Sequence, residues 1–528
     1  MKRILLPALC ILVWFQACAP VPEIIDRYEN KQKKTVQLVR KSEVLKRIEY
    51  FPDGKLKSVT EISNNQPDGK YIQYYQTGTK ATTGKYKAGR KDGRWIWTAE
   101  DGKPDSVRTY RSGVLDGLWQ NYSGGNLILE QYFKSGKLDG KYRLLSTPKQ
   151  LLVKGTYRLD LPHNQWIWWD EKGRKERMVT FDNGRKNGKV AVWDTNGQKV
   201  IEGQFEHDIR SGTWKWYQGT HQLDSLVTYL QGSLNGPFKV WHQNGELAVR
   251  GNFHAGKEDG EWRWWSEKGN LDSIKTFSNG HLNGSRKVYF SNGQLAVSQT
   301  FLDSTLQGEE TTYFPSGAVE SKFTYEHGEK SGHYEVYSQP GLPEELGAYQ
   351  EGKPHGSIQR WYSTGVPSST ATYREGTLHG IMRIYSPSKV IIQEAYYVEG
   401  KLHSKFEYFN NHRLKQIQIF KASESAYVRR WNKLGLELTE ENPVTGYHLK
   451  RKYFPSGSLK YECTYKRDQK HGVEWWFREN GNLKQVNLFL DGEIVLERNW
   501  PEGSLLSEDL VYYAGQLVAE IVPESAEK

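Results

Sequence analysis

Hydrophobic and polar residues alternate along most of this chain in short runs, and the runs recur with a fixed period. Three successive segments from residue 236 onward read GPFKVWHQNGELAVRGNFHAGKED, GEWRWWSEKGNLDSIKTFSNGHLN and GSRKVYFSNGQLAVSQTFLDSTLQ. Counted from its opening glycine, each segment has an aromatic residue at position five, a second glycine at position nine and another aromatic residue at position seventeen. A constant period of this length is typical of repeat proteins.

The repeat extends over most of the chain. The opening glycine recurs, mostly at steps of 24 residues, at Gly69, Gly93, Gly117, Gly140, Gly188, Gly212, Gly236, Gly260, Gly284, Gly308, Gly332, Gly356 and Gly380. Gln165 and Ser404 occupy the same phase without glycine. Residues 45–68 form a degenerate first unit, as expected for the end of a repeat array.

Each unit is predicted to be a β-hairpin. Its two halves are rich in aromatic and β-branched residues, which favour strands. Asn244-Gly245 separates the halves of one unit, and Asn-Gly is a strong hairpin signal because both residues tolerate positive φ. A second turn of pattern G-x-x-[D/N/H]-G follows, as at residues 256–260. The sequence therefore predicts an all-β fold, an elongated array of 24-residue hairpins that forms one antiparallel, twisted sheet.

The phase of the repeat sets the expected domain order. The array covers residues 45–420, and a phase break or insertion covers residues 421–447. Further repeats cover residues 448–492, where the glycine and aromatic phase returns. Residues 493–528 are expected to be a C-terminal cap and tail.

The first 17 residues have the pattern of an export signal peptide. Two basic residues precede an apolar run that is too short to span a membrane. The run ends at Ala17-Cys18, which resembles a bacterial lipoprotein signal, in which the cysteine is lipidated and becomes the new N-terminus. Ordinary cleavage after Ala19 is the alternative.

Residues 18–44 are polar and out of phase with the repeat, and we expect them to be a lipidated tether. The protein is then exported and anchored by lipid in the bacterial cell envelope, at the outer membrane. Multiple acyl chains, as a mature lipoprotein carries, give stable anchoring.

The composition indicates a thin structure with little deep core. Hydrophobic residues make up 37% of the chain, below the usual ~45–50%, while aromatic residues reach 13% and glycines number 51. The formal net charge of +11 is spread through turns and strand faces, which indicates a solvated surface. We expect no nucleic-acid partner.

The sequence lacks the common catalytic and cofactor-binding signatures. It has no G-x-S-x-G, no H-E-x-x-H, no Walker A loop and no dinucleotide fingerprint. Four histidines share one phase, namely His355, His379, His403 and His471. Same-phase residues of stacked hairpins lie ~10 Å apart, too far to share a metal ion, so we expect turn residues that tolerate left-handed backbone. No enzyme activity, cofactor or metal is expected.

Two columns of aromatic residues form the candidate ligand-binding surface. The position-five column includes Trp193, Trp241, Trp265 and Trp361. The position-two column includes Trp95, Trp119, Trp214 and Trp262. Aromatic columns can also pack across strands in place of a deep core. Both roles are compatible if one column packs inward and some of the position-two rings face outward, where they could hold a protein or a glycan.

The unit as a whole resembles a known repeat family. It reads G-x-[WYF]-x-x-[WY]-x-x-x-G-x-[LV]-x(5)-[YF]-x-x-G-x-x-[DNH]-G, which is similar to the MORN-repeat variant of the YwqK-like antitoxin proteins. The resemblance covers roughly residues 45–420 and 448–492. It implies a repeat protein whose partner is a toxin.

These features favour a non-catalytic, extracytoplasmic binding scaffold for protein partners. An antitoxin or immunity protein is a special case of such a scaffold. The alternative is a glycan-binding or cell-wall-binding protein that uses its aromatic columns. Contact with the membrane is expected through the lipid anchor.

Overall fold

The computed structural model describes residues 19–219, 221–421, 424–438, 447–502, 508–513 and 516–521. Over these residues the chain has 43 strands and no helix, so it has no helix that could cross a membrane.

The strands of a first sheet are β1 (Val21–Arg27), β2 (Lys33–Arg40), β3 (Glu43–Tyr50), β4 (Leu56–Ser63), β5 (Gln66–Tyr74), β6 (Lys80–Lys87), β7 (Arg90–Thr98), β8 (Pro104–Arg111), β9 (Val114–Ser123), β10 (Asn126–Lys134), β11 (Lys137–Thr147), β12 (Gln150–Arg158), β13 (Leu161–Trp169), β14 (Lys175–Asp182), β15 (Arg185–Trp193), β16 (Lys199–Glu206), β17 (Ile209–Gln218), β18 (Gln222–Leu230), β19 (Ser233–Trp241), β20 (Leu247–His254), β21 (Lys257–Trp265), β22 (Leu271–Ser278), β23 (His281–Tyr289), β24 (Leu295–Leu302), β25 (Thr305–Leu306), β26 (Gly308–Tyr313), β27 (Val319–Glu326), β28 (Glu329–Tyr337), β29 (Pro343–Gln350), β30 (Lys353–Trp361), β31 (Pro367–Arg374), β32 (Thr377–Tyr385), β33 (Ile391–Val398), β34 (Lys401–Tyr408), β35 (Leu414–Lys421) and β36 (Glu424–Arg430). The strands of a second sheet are β37 (Tyr447–Tyr453), β38 (Leu459–Lys466), β39 (Gln469–Phe477), β40 (Leu483–Leu490), β41 (Glu493–Asn499), β42 (Glu508–Tyr513) and β43 (Gln516–Ile521).

Strands that are neighbours in sequence pair antiparallel in both sheets, as β21 does with β22 and β38 with β39. The all-β fold of antiparallel hairpins is therefore confirmed. The chain divides into two compact units, Met1–Leu247 with Phe253–Gly256, and Ala248–Asn252 with Lys257–Lys528.

The Asn-Gly turns within the units form, but not for the predicted reason. Only Gly245 has positive φ there, at 92°, and its N–H donates to the carbonyl of His242 at 3.0 Å. This is the pattern of a turn followed by a left-handed glycine. The Asn244 side chain instead accepts a hydrogen bond from the N–H of Glu246 at 3.0 Å. Asparagine is thus suited to this position by its side-chain oxygen and not by left-handed backbone.

The second turn differs from the predicted G-x-x-[D/N/H]-G loop. Two residues make the turn, Asn279 and Gly280, with φ of 51° and 83°. The opening glycine that follows, Gly284, lies inside β23 with φ of 110°. The pairing of β22 with β23 shifts register beside it, so the opening glycine marks a bulge and not a turn.

One repeat position was assigned one residue too late in the sequence. Asn164, not Gln165, is the counterpart of the opening glycine in β13. It has φ of 60° and pairs with Phe181, as Gly188 pairs with Phe205. Asparagine replaces glycine here because it tolerates left-handed backbone.

Residues 21–44 do not form the expected tether. They form β1, β2 and the start of β3, because Ile24, Val36 and Ile48 lie opposite one another on three adjacent strands. Val36 is buried as a result. The predicted signal peptide, residues 1–17, and the predicted lipidation site, Cys18, lie outside the described residues.

The second unit ends in a sandwich of two sheets that the repeat phase did not predict. One buried cluster takes side chains from the last strands of the first sheet and from the second sheet, including Tyr396, Ile417, Ile419, Val473, Val486, Leu488 and Leu496. The predicted phase break contains a regular strand, β36, paired with β35. The expected cap and tail after residue 493 contributes β41, β42 and β43 to the second sheet.

A buried ion-pair network joins the two sheets of this sandwich. Arg498 of β41 bonds to Glu394 of β33 at 2.7 Å and to Asp509 of β42 at 3.0 Å. Tyr396 donates to the same aspartate at 2.5 Å, and the Tyr408 hydroxyl donates to Glu394 at 2.8 Å. Every charge in the network therefore has a partner.

Candidate binding site

The position-two tryptophans do not face outward as a group. Trp95, Trp214 and Trp262 are only 1%, 4% and 3% exposed. Each ring lies over a glycine on the preceding strand, and a Cβ on that glycine would stand 2.1 to 2.3 Å from the ring. The indole N–H of Trp95 and of Trp214 also donates to a backbone carbonyl at 3.1 Å. The prediction of outward-facing rings is therefore wrong for these three tryptophans, which fill the space above the glycines.

Trp119 differs from them because arginine replaces the glycine opposite it. The ring is partly buried, with the Arg108 guanidinium 4.6 Å from its centroid and the Phe133 ring stacked at 5.2 Å. Arg108 also lies 4.9 Å from the Trp97 ring, which Lys91 approaches at the same distance. Lysine and arginine side chains thus cover several aromatic rings of the first compact unit.

The position-five tryptophans, Trp193, Trp241, Trp265 and Trp361, are all partly buried. Lys175 lies 5.7 Å from the Trp193 ring. The structure leaves part of each of these rings accessible, and a ligand-binding role for them and for Trp119 stays a prediction.

The histidines that share one phase are strand residues and not turn residues. His355, His379, His403 and His471 lie in β30, β32, β34 and β39, and none has positive φ. Burial lowers the pKa of His403 to about 4 and also lowers the pKa of His471. The expectation that left-handed turns explain these histidines is wrong.

A cleft opens at one end of the C-terminal sandwich, and the sequence analysis did not identify it. We call it the C-terminal cleft. Its volume is about 460 Å³. The apolar lining comes from both sheets and from the hairpin that follows β36, with Leu414, Trp431, Leu434, Trp475, Phe477 and Leu483. The rings of Trp475 and Phe477 stack at 6.5 Å.

The rim of the C-terminal cleft carries aliphatic side chains in contact with water. The hairpin tip after β36 exposes 73% of Leu434, which lines the cleft, and 63% of the nearby Leu436. The tip is held in place by Arg413, whose guanidinium donates to the Leu434 carbonyl at 2.6 Å. Trp431 donates its N–H to the Lys415 carbonyl at 2.9 Å. The strands therefore fix the position of this apolar surface.

The polar groups of the C-terminal cleft are mostly committed to one another. Arg429 makes a two-bond pair with Glu437, at 2.9 and 2.8 Å, and bonds to Glu462 at 3.0 Å. The second oxygen of Glu462 accepts from Arg451 at 2.7 Å. Nη1 of Arg429 has no partner among the described residues.

These groups stay ionised. Burial alone would lower the pKa of Arg429, but its hydrogen bond to Glu437 and the nearby carboxylates hold that pKa above the ordinary value. Burial alone would raise the pKa of Glu462, but Arg451 and Arg429 lower it. The charges on the cleft wall are therefore permanent near neutral pH.

A weak signal for the C-terminal cleft does exist in the sequence. In β35 the residue Ile419 is apolar where most earlier repeats carry a polar residue, such as Thr324 and Thr372, which indicates that this face is covered. The covering sheet comes from residues far along the chain, so periodicity could not show which residues would meet.

Four segments of the chain match the family model described as a MORN repeat variant, at residues 258–279, 282–303, 306–327 and 449–467. No curated protein matches the chain. Among solved structures, the crystal structure of TcdB2-TccC3-Cdc42 matches at 12% identity, over 92% of this chain and 24% of that chain, with a TM-score of 0.13. The Tc holotoxin pore of Photorhabdus luminescens matches at 12% identity, over 92% and 31% of the two chains, with a TM-score of 0.14.

The chain thus spans about a quarter to a third of the length of these solved chains. The segments that match the family model lie in the part of the chain where the 24-residue period is most regular and in the second sheet. They support the assignment of these repeats to the MORN repeat variant.

Proposed function

We propose that this protein is a non-catalytic scaffold that binds protein partners in the bacterial cell envelope, where a lipid on Cys18 anchors it to the outer membrane. The observation that carries the proposal is the C-terminal cleft. Its aromatic walls and exposed leucine rim form an open apolar surface on rigid strands. Such surfaces mark interaction sites, since soluble proteins otherwise cover them. Extended repeat proteins commonly serve as binding scaffolds.

Protein is a better fit than glycan as the partner. Sugar rings stack on open aromatic faces, and cations or neighbouring rings already cover Trp97 and Trp119. The buried tryptophans, such as Trp214, offer no face at all. An antitoxin or immunity protein is the special case in which the partner is a toxin.

Capture from solubilised envelopes tests this proposal. Tagged protein is recovered after high-salt washing, and bound protein and saccharide are both assayed. The intact chain should retain a stoichiometric protein, and Leu434→Asp should lose most of it, because a carboxylate on the rim opposes apolar contact. Leu302→Asp is the matched control, since Leu302 is 58% exposed and lies outside the cleft. Saccharide without protein would instead support the glycan-binding alternative.

The lipid anchor has its own test. Cells that express the intact chain should incorporate labelled palmitate into it, and Cys18→Ala should abolish the label and release the protein from the membrane fraction. Label retained by the variant would refute lipidation at this cysteine.

A further inference from the structure

We propose that the C-terminal cleft binds an extended peptide segment in which a large apolar side chain lies beside an acidic residue. The inference rests on the proposed function and names the class of ligand. It draws on the size, the lining and the charges of the cleft.

The size of the cleft suits side chains and not a folded surface. A volume of about 460 Å³ lies in the range of ~300–1,000 Å³ that is usual for ligand pockets. Trp431 and Leu414 face it from one side of the sandwich, while Trp475 and Leu483 face it from the other. An aromatic or aliphatic side chain placed between them would be removed from water on both sides.

The charge of the cleft calls for an anionic group. Glu462, the one acidic residue among the described residues that line the cleft, is neutralised by Arg429 and Arg451. Arg413 has no carboxylate partner among the described residues, and its guanidinium bonds only to backbone carbonyls there. Nη1 of Arg429, another lining residue, has no partner among the described residues, and that side chain is 93% buried. A carboxylate at the mouth would therefore meet an arginine without displacing an existing ion pair.

The lining favours a peptide over a sugar. Sugars need several planar polar side chains that bind hydroxyl groups. Among the residues described as lining the cleft, only Arg413, Arg429 and Glu462 are polar, and the last two are already paired. Leu434, which is exposed on the rim, adds aliphatic contact for such a peptide.

Selection from a displayed library of random nine-residue peptides on the full chain tests the inference. Enriched peptides should carry an aromatic or large aliphatic residue next to Asp or Glu. For a synthesised member, replacement of its acidic residues by the amides should weaken binding about tenfold, the usual size of a charged hydrogen bond. Arg413→Glu should weaken binding by a similar factor. Arg413 is exposed, so this variant should fold, but it also loses the bonds that Arg413 donates to the hairpin tip. Arg413→Gln, which removes the charge and keeps an amide that can donate to those carbonyls, should weaken binding as well.

The matched control is Arg374→Glu, which makes the same charge change at an exposed site outside the cleft and should leave binding unchanged. Failure to enrich any peptide, enrichment of peptides without acidic residues, or binding unaffected by Arg413→Glu would each overturn the inference. If envelope capture still recovers a partner that Leu434→Asp loses, the scaffold function stands and only the ligand class fails. If capture also recovers no protein, both fail.

Discussion

Single residues set how closely neighbouring units of the array approach one another. Gly203 in β16 has no side chain, so the Trp214 ring of β17 lies directly on its backbone. The same arrangement pairs Gly84 with Trp95. A flat ring pressed on bare backbone gives a one-sheet structure a buried apolar layer, which the low hydrophobic content would otherwise not supply.

We predict that Gly203→Ala destabilises the protein. The new Cβ would lie 2.3 Å from the Trp214 ring, far inside van der Waals contact. Overpacking of this kind costs ~1–3 kcal/mol, which exceeds the ~0.4–1 kcal/mol that Gly→Ala gains by restricting the unfolded chain. Denaturant unfolding measures the change. In the Trp214→Leu background the same substitution should be neutral or stabilising, and an equal cost in both backgrounds would contradict the packing.

A second residue-scale prediction concerns pH. His403 has a pKa of about 4 in the fold because burial disfavours its charged form. The unfolded chain takes up the proton at the ordinary pKa, near 6.5, so stability falls as pH drops from 6.5 toward 4. The loss is roughly 3 kcal/mol at pH 4, at ~1.4 kcal/mol per pKa unit.

Denaturant unfolding of His403→Leu should isolate this effect. Relative to the intact chain, the variant should gain stability over that pH interval. His379→Leu, at the same phase one repeat earlier and only partly buried, is the control for replacement of an imidazole by leucine. Equal pH dependence of the His403 variant and the intact chain would contradict the prediction.

The sequence predicted many residues correctly and their partners less well. Glycine and aromatic phases are local signals, so strands and turns could be placed from them. Gly203 does not lie at a turn, and its structural role is to leave room for the Trp214 ring of the next strand. The sequence therefore identified the position-two tryptophans but predicted exposed rings, whereas most of these rings are buried.

At the scale of strands, the C-terminal sandwich is locked by Arg498. Its guanidinium joins β41 to β33 of the other sheet and to β42 of its own. Burial alone would raise the pKa of Glu394, but Arg498 and Arg383 lower it to about 2. We infer that the network sets which strands face each other, because an apolar core alone is less selective.

We predict that Arg498→Met costs ~3–5 kcal/mol at neutral pH, because it leaves buried carboxylates without their cation. The Glu394 contribution exists above the unfolded pKa, near 4.5, and is lost as pH falls toward 2. The difference in the free energy of unfolding between the variant and the intact chain should therefore become smaller over that pH interval. Denaturant unfolding measures it.

Lys421→Met is the matched control for the Arg498 substitution. It removes an ion pair with Asp491 at 3.2 Å that also connects the two sheets, but both side chains are about half exposed or more. Exposed pairs contribute ~0–1 kcal/mol, so the control should change stability little. A similar cost for the two variants would argue against the buried network as the lock.

The strands of the sandwich were predictable and the sandwich was not. Periodicity placed β38 to β40 because their glycines return in phase. The packing of one sheet on another depends on residues that are far apart in the sequence. Its only local signal is an apolar residue at a few positions, such as Ile419 and Leu488. The C-terminal cleft depends on that facing, so it was invisible to repeat phase.

At the scale of the whole molecule, the two compact units differ in how many apolar side chains they bury. The main cluster described in the first unit has Val179, Val190 and Trp214 at its centre. The cluster of the second unit has twelve buried residues from two sheets. The low hydrophobic content predicted a shallow core, which describes the first unit and fails for the end of the second.

Hydrogen exchange followed by mass spectrometry should show this difference. We expect amides of β35 and β40 to exchange at least a hundredfold more slowly than those of β1 and β2, because local opening is easiest where few apolar contacts are lost. Uniform protection along the chain would show that the repeats unfold as one cooperative body with the sandwich.

The pairing of tryptophan with glycine across a hairpin also bears on how such a chain lengthens or shortens by recombination. Gly203 belongs to one repeat and Trp214 to the next, so their packing contact crosses the repeat boundary drawn at the opening glycine. Elsewhere the same pair of positions holds Val227 with Phe238 or Lys275 with Arg286. A crossover at the opening glycine would put a tryptophan opposite the wrong partner. The segment that can be exchanged without loss of these packing contacts therefore runs from the middle of one repeat to the middle of the next.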